Sequence, residues 1–194
     1  FTCGEGGALL INDPRFIERA EILREKGTNR SQVFRGQADK YSWIDVGSSY
    51  LLSDLLAAFL LAQFEARNYI QAQRQRLWEF YAAHLRDWAL QHSVGLPSIP
   101  AHCEQPYHMF YMLMPSLTAR QALIDHLKTR SILAVFHYLP LHISVMGCRF
   151  GGQPGDCPVT EAVSDRLVRL PFYIGLSEAN QARVVAAILE CPGL

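Results

Sequence analysis

The sequence predicts an α/β protein built from two parts that a long helix joins. A short apolar strand and an amphipathic helix open the chain, and strands and helices alternate again after residue 100. Between them a helical pattern runs from Ser53 to about His92, a length of about 58 Å at 1.5 Å per residue. No small domain needs so long a helix for itself, so this segment is expected to connect two domains.

The first part begins with the glycine-rich turn GEGG. Ala8–Ile11 is predicted to be a strand, because four apolar residues end at a turn-forming Asn-Asp pair. A helix is predicted over Arg15–Lys26, since Asp13 suits the N-cap and Pro14 the first turn. Gly27 is expected to end it.

Residues 28–52 show no regular periodicity, but their aromatic residues argue against disorder. Ser53 is the predicted N-cap of the long helix. The first half of that helix is apolar nearly all round, which favours burial. The second half carries a narrow stripe repeating every three or four residues: Ile70, Gln73, Leu77, Tyr81, Leu85 and Trp88.

The second part is predicted to be a small α/β domain. Its predicted strands are His108–Met114 and Ile132–Tyr138. Its predicted helices are Thr118–Arg130, Thr160–Arg169 and Ser177–Glu190. A loop rich in glycine, proline and cysteine is expected over Gly147–Pro158. The predicted domain organisation is therefore residues 1–60, a joining helix over 61–92, and a small domain over 93–194.

Composition narrows the class of function. Of the residues, 49% are hydrophobic and 19% charged, and 18 basic residues balance 18 acidic ones. Such a balance gives no electrostatic reason to expect nucleic acid or a membrane surface as a partner. Five scattered cysteines without a CxxC pair indicate reduced thiols, which favours a cytoplasmic location. The most apolar stretch, 51–64, is too short and too often interrupted to span a bilayer.

Two stretches of the first part are candidates for holding an anion. GEGG can form an anion-binding nest, although a simple turn is the favoured interpretation. Gly47–Tyr50 precedes the predicted start of the long helix, where free backbone N–H groups and serine hydroxyls suit a phosphate. N-capping explains one of its two serines equally well, so both interpretations stay open.

The second part has one cluster of polar and aromatic residues, FHYLPLH, at the end of a predicted strand. It makes His137 and His142 candidate ligand-binding residues, with His108 at the start of another strand. A zinc site made of His137, His142, Cys148 and Cys157 is an alternative, but the spacing is that of no common zinc motif. A GxSxG nucleophile motif, a Cys-His arrangement and paired carboxylates are all missing from the sequence.

Several stretches, taken in order, resemble a known family. They are TCGEGGALLIND, REKGTNRSQVFRGQADKYSWIDVGSSYLLSDLLAA, HMFYMLM, AVFHYLPLH and VTEAVSDRLVRLPFY. Together they cover essentially the whole chain and are similar to the C-terminal half of DegT/StrS-type sugar-nucleotide aminotransferases. The resemblance implies the C-terminal part of a fold-type I pyridoxal-phosphate enzyme: a remnant of the large domain, the long interdomain helix and the small α/β domain.

The resemblance also implies a reaction and a missing residue. In such enzymes glutamate donates an amino group, through pyridoxal 5'-phosphate, to C4 of a dTDP-4-keto-6-deoxyhexose. The Schiff-base lysine of the family lies a few residues before the GEGG turn, and Lys26, Lys40 and Lys128 do not match it. The expectation is therefore a fragment whose catalytic lysine lies upstream of Phe1, inactive alone.

Residue roles carry over from the resemblance as follows. Ser49 stands where the family more often has an asparagine that contacts the cofactor phosphate of the neighbouring subunit, which implies a homodimer with shared active sites. A serine hydroxyl can still donate to phosphate, although with a shorter reach. The residues implied at the sugar nucleotide are Tyr50, His137, Tyr138, His108 and His142, with Arg30 and Arg35 expected at its diphosphate.

Two other hypotheses stay open. One is a non-enzymatic relative that binds a sugar nucleotide or dimerises and has lost the cofactor lysine. The other is an unrelated metal-binding α/β domain. The fragment hypothesis adds a physical expectation: residues 1–60 have only one short strand to cover the apolar start of the long helix. Expressed alone, they are expected to expose an apolar patch and to aggregate or dimerise.

Overall fold

A computed structural model describes residues 1–192 of the chain. They form two compact units, of which the first is Phe1–Arg67 and the second begins at Asn68. Helices dominate the first unit, and the second combines helices with a small sheet. The predicted mixed α/β class is confirmed. None of the helices in the described residues is long and apolar enough to cross a membrane.

The helices of the first unit are short. The caps at Asp13 and Ser53 lie where the sequence predicts them, whereas the helix Arg30–Phe34 lies in a segment predicted to be irregular. Asp13 caps the first of these helices, because its carboxylate accepts a hydrogen bond of 3.0 Å from the backbone N–H of Arg15. Gly27 follows the end of α1 with a φ of 73°, a backbone conformation that favours glycine. The elements are a 3-10 turn Pro14–Phe16, α1 Ile17–Arg24, α2 Arg30–Phe34 and α3 Asp54–Glu65.

The predicted strand Ala8–Ile11 is wrong. The residues form no regular element and pair with no strand in the described part of the chain, and Leu9 and Leu10 are 77% and 86% exposed. A strand is completed by the hydrogen bonds of a neighbour, so apolar side chains alone do not make one.

The long helix begins as predicted but is interrupted. The Ser53 hydroxyl accepts a hydrogen bond from the backbone N–H of Leu56, so Ser53 is the N-cap. Helix α3 then ends at Glu65, and α4 begins at Arg67 and runs to Gln91. Ala66 between them has a ψ of 7°, outside the helical range.

Burial reverses between the two halves of this pattern. Helix α3 has no buried residue, whereas the stripe of α4 is buried, with Leu77, Tyr81 and Leu85 completely inaccessible. The predicted burial of the apolar first half is therefore wrong for the described residues, because no sheet covers α3 there. The exposure of Leu55 and Phe59, at 83% and 53%, agrees with the expected apolar patch.

The second unit contains a three-stranded antiparallel sheet. Its strands are β1 Tyr111–Leu113, β2 Val135–Phe136 and β3 Leu167–Arg169. Their order is β1-β3-β2, which places β3 in the centre. The helices of this unit besides α4 are α5 Leu117–Thr129, α6 Val145–Arg149, α7 Pro158–Arg166 and α8 Glu178–Leu189.

The central strand was missed in the sequence. A helix was predicted over Thr160–Arg169, but α7 ends at Arg166 and the next three residues form β3. The helical pattern fails there because Val168 pairs with Met112 on one side and Phe136 on the other. Pairing on both edges outweighs the local helical preference of three residues.

The core of the second unit lies between the sheet and the helices. Side chains of β1, β3, α4, α5 and α8 share one hydrophobic cluster, which includes Trp88 and, partly buried, Trp78. The Tyr81 hydroxyl donates a hydrogen bond of 2.9 Å to the carbonyl of Pro171, and burial raises the pKa of this phenol. In the first unit, by contrast, Trp43 is 77% exposed.

Candidate functional site

The GEGG turn shows local hydrogen bonding typical of a turn. Gly4 and Gly6 have φ values of 86° and 157°, and the backbone N–H of Gly4 donates to the Thr2 hydroxyl. The Cys3 thiol donates to the carbonyl of Glu5. These contacts favour the interpretation as a simple turn over that of an anion nest.

The Gly47–Tyr50 segment lies against the end of α1. The backbone N–H groups of Ser48 and Tyr50 donate to the carbonyls of Leu23 and Arg24, at 3.0 and 3.1 Å. These two amides therefore already have partners, and α3 is capped by its own serine. The phosphate site predicted from free backbone amides is left with fewer donors, and it stays a prediction.

The two serine hydroxyls of this segment, those of Ser48 and Ser49, make no hydrogen bond within residues 1–192. Ser49 is exposed, and its side chain has no hydrogen-bond partner within residues 1–192. Gly47 holds the segment close to α1, because a Cβ there would overlap the backbone of Gly27. An exposed hydroxyl on a segment fixed in this way suits a phosphate oxygen as a donor, so the donor chemistry of Ser49 fits the phosphate of pyridoxal phosphate. Tyr50, its neighbour, is 71% exposed.

The two arginines predicted at a diphosphate face carboxylates. Arg35 makes a bidentate pair with Glu21, at 2.8 and 2.6 Å. Arg30 lies 3.3 Å from the carboxylate of Glu25, and its guanidinium stacks over a phenyl ring of the same unit. Both side chains already have anionic partners, and their role at a diphosphate stays a prediction.

In the second unit, His137 and Tyr138 line a cavity of about 380 Å³. The segment from His137 to Leu141 forms one wall. Side chains of α7 form the other, and they are Val159, Thr160, Val163 and Ser164. The structure thus places both predicted substrate-binding residues at one concave site.

Two basic side chains lie within electrostatic range of His137. Its Nδ1 atom is buried and has no hydrogen-bond partner among the described residues. Burial lowers the pKa of His137, and the charges of Arg169 and His108 lower it further. His108 itself is exposed. The structure therefore brings His108 within electrostatic range of His137, which the sequence alone did not show.

Tyr138 is fixed from both ends. Its carbonyl accepts a hydrogen bond from the Ser164 hydroxyl of α7. The guanidinium of Arg169 lies 5.3 Å from the centre of its ring, and Nη2 is 3.4 Å from its hydroxyl oxygen. Sequence reasoning missed Arg169 because it placed this residue in a helix. The signal was a short apolar alternation directly before Pro171.

His142 belongs to a separate pair. Its Nε2 atom lies 2.8 Å from the Glu161 carboxylate, which also accepts a hydrogen bond from the N–H of Gly155. These contacts hold the pKa of Glu161 below its usual value. The structure does not assemble the alternative zinc site. Within residues 1–192 no three His, Cys, Asp or Glu side chains lie close enough together to bind a metal.

The cysteines form no disulfide in the described residues, in keeping with the reduced thiols expected from the sequence. All five cysteines lie within the described residues and are free. Cys148, in α6, and Cys157, directly before α7, are exposed. Cys3 and Cys191 are buried.

Comparison with solved structures shows a shared fold. The chain is similar to the aminotransferase TlmJ from Streptoalloteichus hindustanus, with a TM-score of 0.77 and 21% identity over 92% of this chain and 45% of that one. It is also similar to S. venezuelae DesV, solved in complex with a ketimine intermediate. There the TM-score is 0.79 and the identity 25%, over 93% of this chain and 45% of that one.

Comparison of sequences gives the family. The erythromycin biosynthesis sensory transduction protein EryC1 of Saccharopolyspora erythraea is 26% identical over 186 residues, which are 95% of this chain and 47% of that protein. The chain spans about half the length of the curated relatives it matches. The sequence pattern of one family matches residues 1–189. The chain therefore belongs to the DegT/DnrJ/EryC1/StrS aminotransferase family.

Proposed function

We propose that this chain is part of a sugar-nucleotide aminotransferase that uses pyridoxal 5'-phosphate. The observation that carries the proposal is the family match over residues 1–189, together with the cavity that His137 and Tyr138 line. The amino donor is glutamate, and the acceptor is C4 of a dTDP-4-keto-6-deoxyhexose. The stretches GTNRSQ, FRGQ and GSSYL favour a dTDP-4-amino-4,6-dideoxygalactose transaminase of enterobacterial common antigen and lipopolysaccharide synthesis.

Ser49 has the role of phosphate donor in this proposal. Its free hydroxyl binds a phosphate oxygen of the cofactor held by the neighbouring subunit of a homodimer. When bound, pyridoxal phosphate supplies the carbonyl carbon that carries nitrogen between donor and acceptor. Tyr50 lines the substrate site beside it. The protein works in the cytoplasm.

The residues of the second unit bind the sugar nucleotide. His137 has a buried ring nitrogen without a partner among the described residues, and the exposed ring of Tyr138 offers an apolar surface for a sugar or base. His108 and His142 are weaker candidates, since His142 is held by Glu161. Burial and the neighbouring positive charges favour a neutral His137, which can accept or donate one hydrogen bond to the substrate.

The test uses the complete gene product with pyridoxal phosphate, glutamate and dTDP-4-keto-6-deoxyglucose. We expect 2-oxoglutarate and a dTDP-amino sugar in equal amounts. Ser49→Ala is expected to weaken binding of pyridoxal phosphate about tenfold, the value of one hydrogen bond to a charged group. Ser98→Ala removes another exposed hydroxyl without a partner and should change nothing.

The outcomes separate the proposal from its alternative. Binding of dTDP-sugars without any amino transfer would support a non-enzymatic relative. An unchanged affinity for pyridoxal phosphate in Ser49→Ala would remove Ser49 from the site and leave the reaction itself in place.

A further inference from the structure

The sheet of the second unit has one face turned to the core and one turned away. Met112, Val168 and Phe136 form a cross-strand row, and the first two are completely buried. Side chains alternate between the faces of a strand, so the next row lies on the opposite face. That row contains Tyr111, Arg169 and Val135. All three are only half-buried, and Arg169 lies at the centre of this open face.

Arg169 has aromatic neighbours but no anionic one. Its guanidinium lies over the Tyr138 ring at 5.3 Å, and its Nε atom is buried without a hydrogen-bond partner among the described residues. Within residues 1–192 no carboxylate lies within ion-pair distance of it. Arg35 differs, because both of its terminal nitrogen atoms donate hydrogen bonds to the carboxylate of Glu21. A half-buried guanidinium with no carboxylate favours a ligand that brings the negative charge.

A second donor lies beside Arg169. The Nδ1 atom of His137 is also buried and unpaired, and the charge of Arg169 acts on this ring. His108 adds a further basic group in range of His137. Two orphaned nitrogen atoms therefore belong to the guanidinium of Arg169 and the imidazole of His137, next to the ring of Tyr138. A single anion with several oxygen atoms can satisfy both.

We infer that Arg169 and His137 bind the diphosphate of the nucleotide, and that Tyr138 positions the Arg169 guanidinium. The inference rests on the proposed function, which supplies a nucleotide diphosphate as the ligand. A diphosphate presents oxygen atoms to a bidentate guanidinium and to an imidazole at once, and its sugar and base can pack on aromatic rings. The phosphate of the cofactor and the carboxylates of glutamate have related chemistry, so the test includes them.

Calorimetric titration of the chain with dTDP and with inorganic pyrophosphate tests the inference. Arg169→Gln removes the fork of donors and is expected to weaken both ligands about 10- to 100-fold, the range for a hydrogen bond to a charged group. Arg169→Lys keeps the charge but loses bidentate geometry, and an intermediate affinity is expected. Arg183→Gln, an exposed arginine on α8, is the matched control and should bind like the wild type.

NMR titration of the His137 ring provides a readout that a merely structural arginine would not move. Bound pyrophosphate should raise the pKa of His137 in the wild type, because a nearby negative charge favours the imidazolium. In Arg169→Gln that rise should shrink. Titrations with pyridoxal phosphate and with glutamate should give the same affinities in wild type and Arg169→Gln.

Three results would overturn the inference: no binding of dTDP or pyrophosphate by the wild type at millimolar concentration, equal affinity in Arg169→Gln, or a loss confined to pyridoxal phosphate or glutamate. The proposed function fails separately. If the complete gene product transfers nitrogen and Arg169→Gln leaves KM for the sugar nucleotide unchanged, the function stands and the inference fails. If dTDP binding depends on Arg169 but nitrogen is not transferred, the diphosphate site stands and the function fails.

Discussion

At the scale of single residues, the second unit uses its charged side chains in two ways. Glu161 is satisfied within the protein, by the His142 ring and the N–H of Gly155. Arg169 and His137 keep unpaired nitrogen atoms that no described residue satisfies. Paired groups are expected to affect stability, and unpaired ones to affect ligand binding.

The Glu161 pair gives a stability effect that depends on pH. Its hydrogen bond with His142 lowers the pKa of Glu161 in the folded state, so its contribution is present above the unfolded pKa. The contribution is lost as pH falls through the lowered folded value. Glu161→Gln is therefore expected to lower Tm by about 1–2 °C at pH 6 and by less at pH 3.

Thermal unfolding followed by circular dichroism measures this difference. Glu104→Gln changes an exposed carboxylate that makes no hydrogen bond or ion pair in the described residues, and it should shift Tm equally little at both pH values. A Glu161→Gln effect of the same size at pH 3 and pH 6 would show that the His142 pair contributes nothing.

At the scale of elements, the sequence predicted what depends on local chemistry. Helix starts at Asp13 and Ser53 follow from side chains that accept backbone hydrogen bonds, and the stripe of α4 follows from its period. Strands were less predictable. The predicted strand Ala8–Ile11 pairs with no other strand in the described residues, whereas β3, predicted as helix, pairs with both β1 and β2. Whether two distant segments pair as strands cannot be predicted from the residues of either segment alone. The predicted domain boundaries at residues 60 and 92 stay a prediction.

The candidate site was predictable to the same extent. His137 and Tyr138 stood out as a polar and aromatic cluster, and the structure places them on one cavity. Arg169 was missed, because its position depends on the β3 pairing, of which the local sequence shows no more than a short apolar alternation before Pro171. Two of the amides expected to be free at Gly47–Tyr50, those of Ser48 and Tyr50, donate to carbonyls at the end of α1, which is another contact between separate segments.

A partly buried hydrogen bond joins helix α4 to the segment after β3, and its contribution can be tested. Tyr81→Phe removes the hydroxyl that donates to the carbonyl of Pro171 and leaves that acceptor unpaired. The free energy of unfolding is expected to fall by about 1 kcal/mol. Urea denaturation measures the change, and Tyr69→Phe, an exposed tyrosine of the same helix, is the control. Equal midpoints for the two variants would contradict the prediction.

At the scale of the whole molecule, the two units differ in how far their apolar side chains are buried. The second unit encloses a continuous core, whereas α3 of the first buries none of its residues. An uncovered apolar helix favours association with another apolar surface. The chain of residues 1–194 is therefore expected to self-associate in solution and to bind a hydrophobic dye.

Replacement of two exposed leucines tests this expectation. Leu55→Glu combined with Leu61→Glu should reduce both the apparent mass in analytical ultracentrifugation and the dye fluorescence. Leu90→Glu changes a leucine of α4 that is 76% exposed and serves as the control for added charge. A monodisperse, dye-negative wild-type monomer would contradict the prediction.

The tryptophans are divided unequally between the units, and this gives each unit its own optical signal. Trp43 is open to solvent, whereas Trp88 is enclosed and Trp78 lies edge-on to the rings of Tyr107 and Phe110. Water-exposed indoles emit at longer wavelengths and are quenched by iodide, while shielded indoles emit nearer the blue. Fluorescence of the unlabelled polypeptide can thus follow unfolding of the second unit, through Trp78 and Trp88, separately from changes around Trp43 in the first unit.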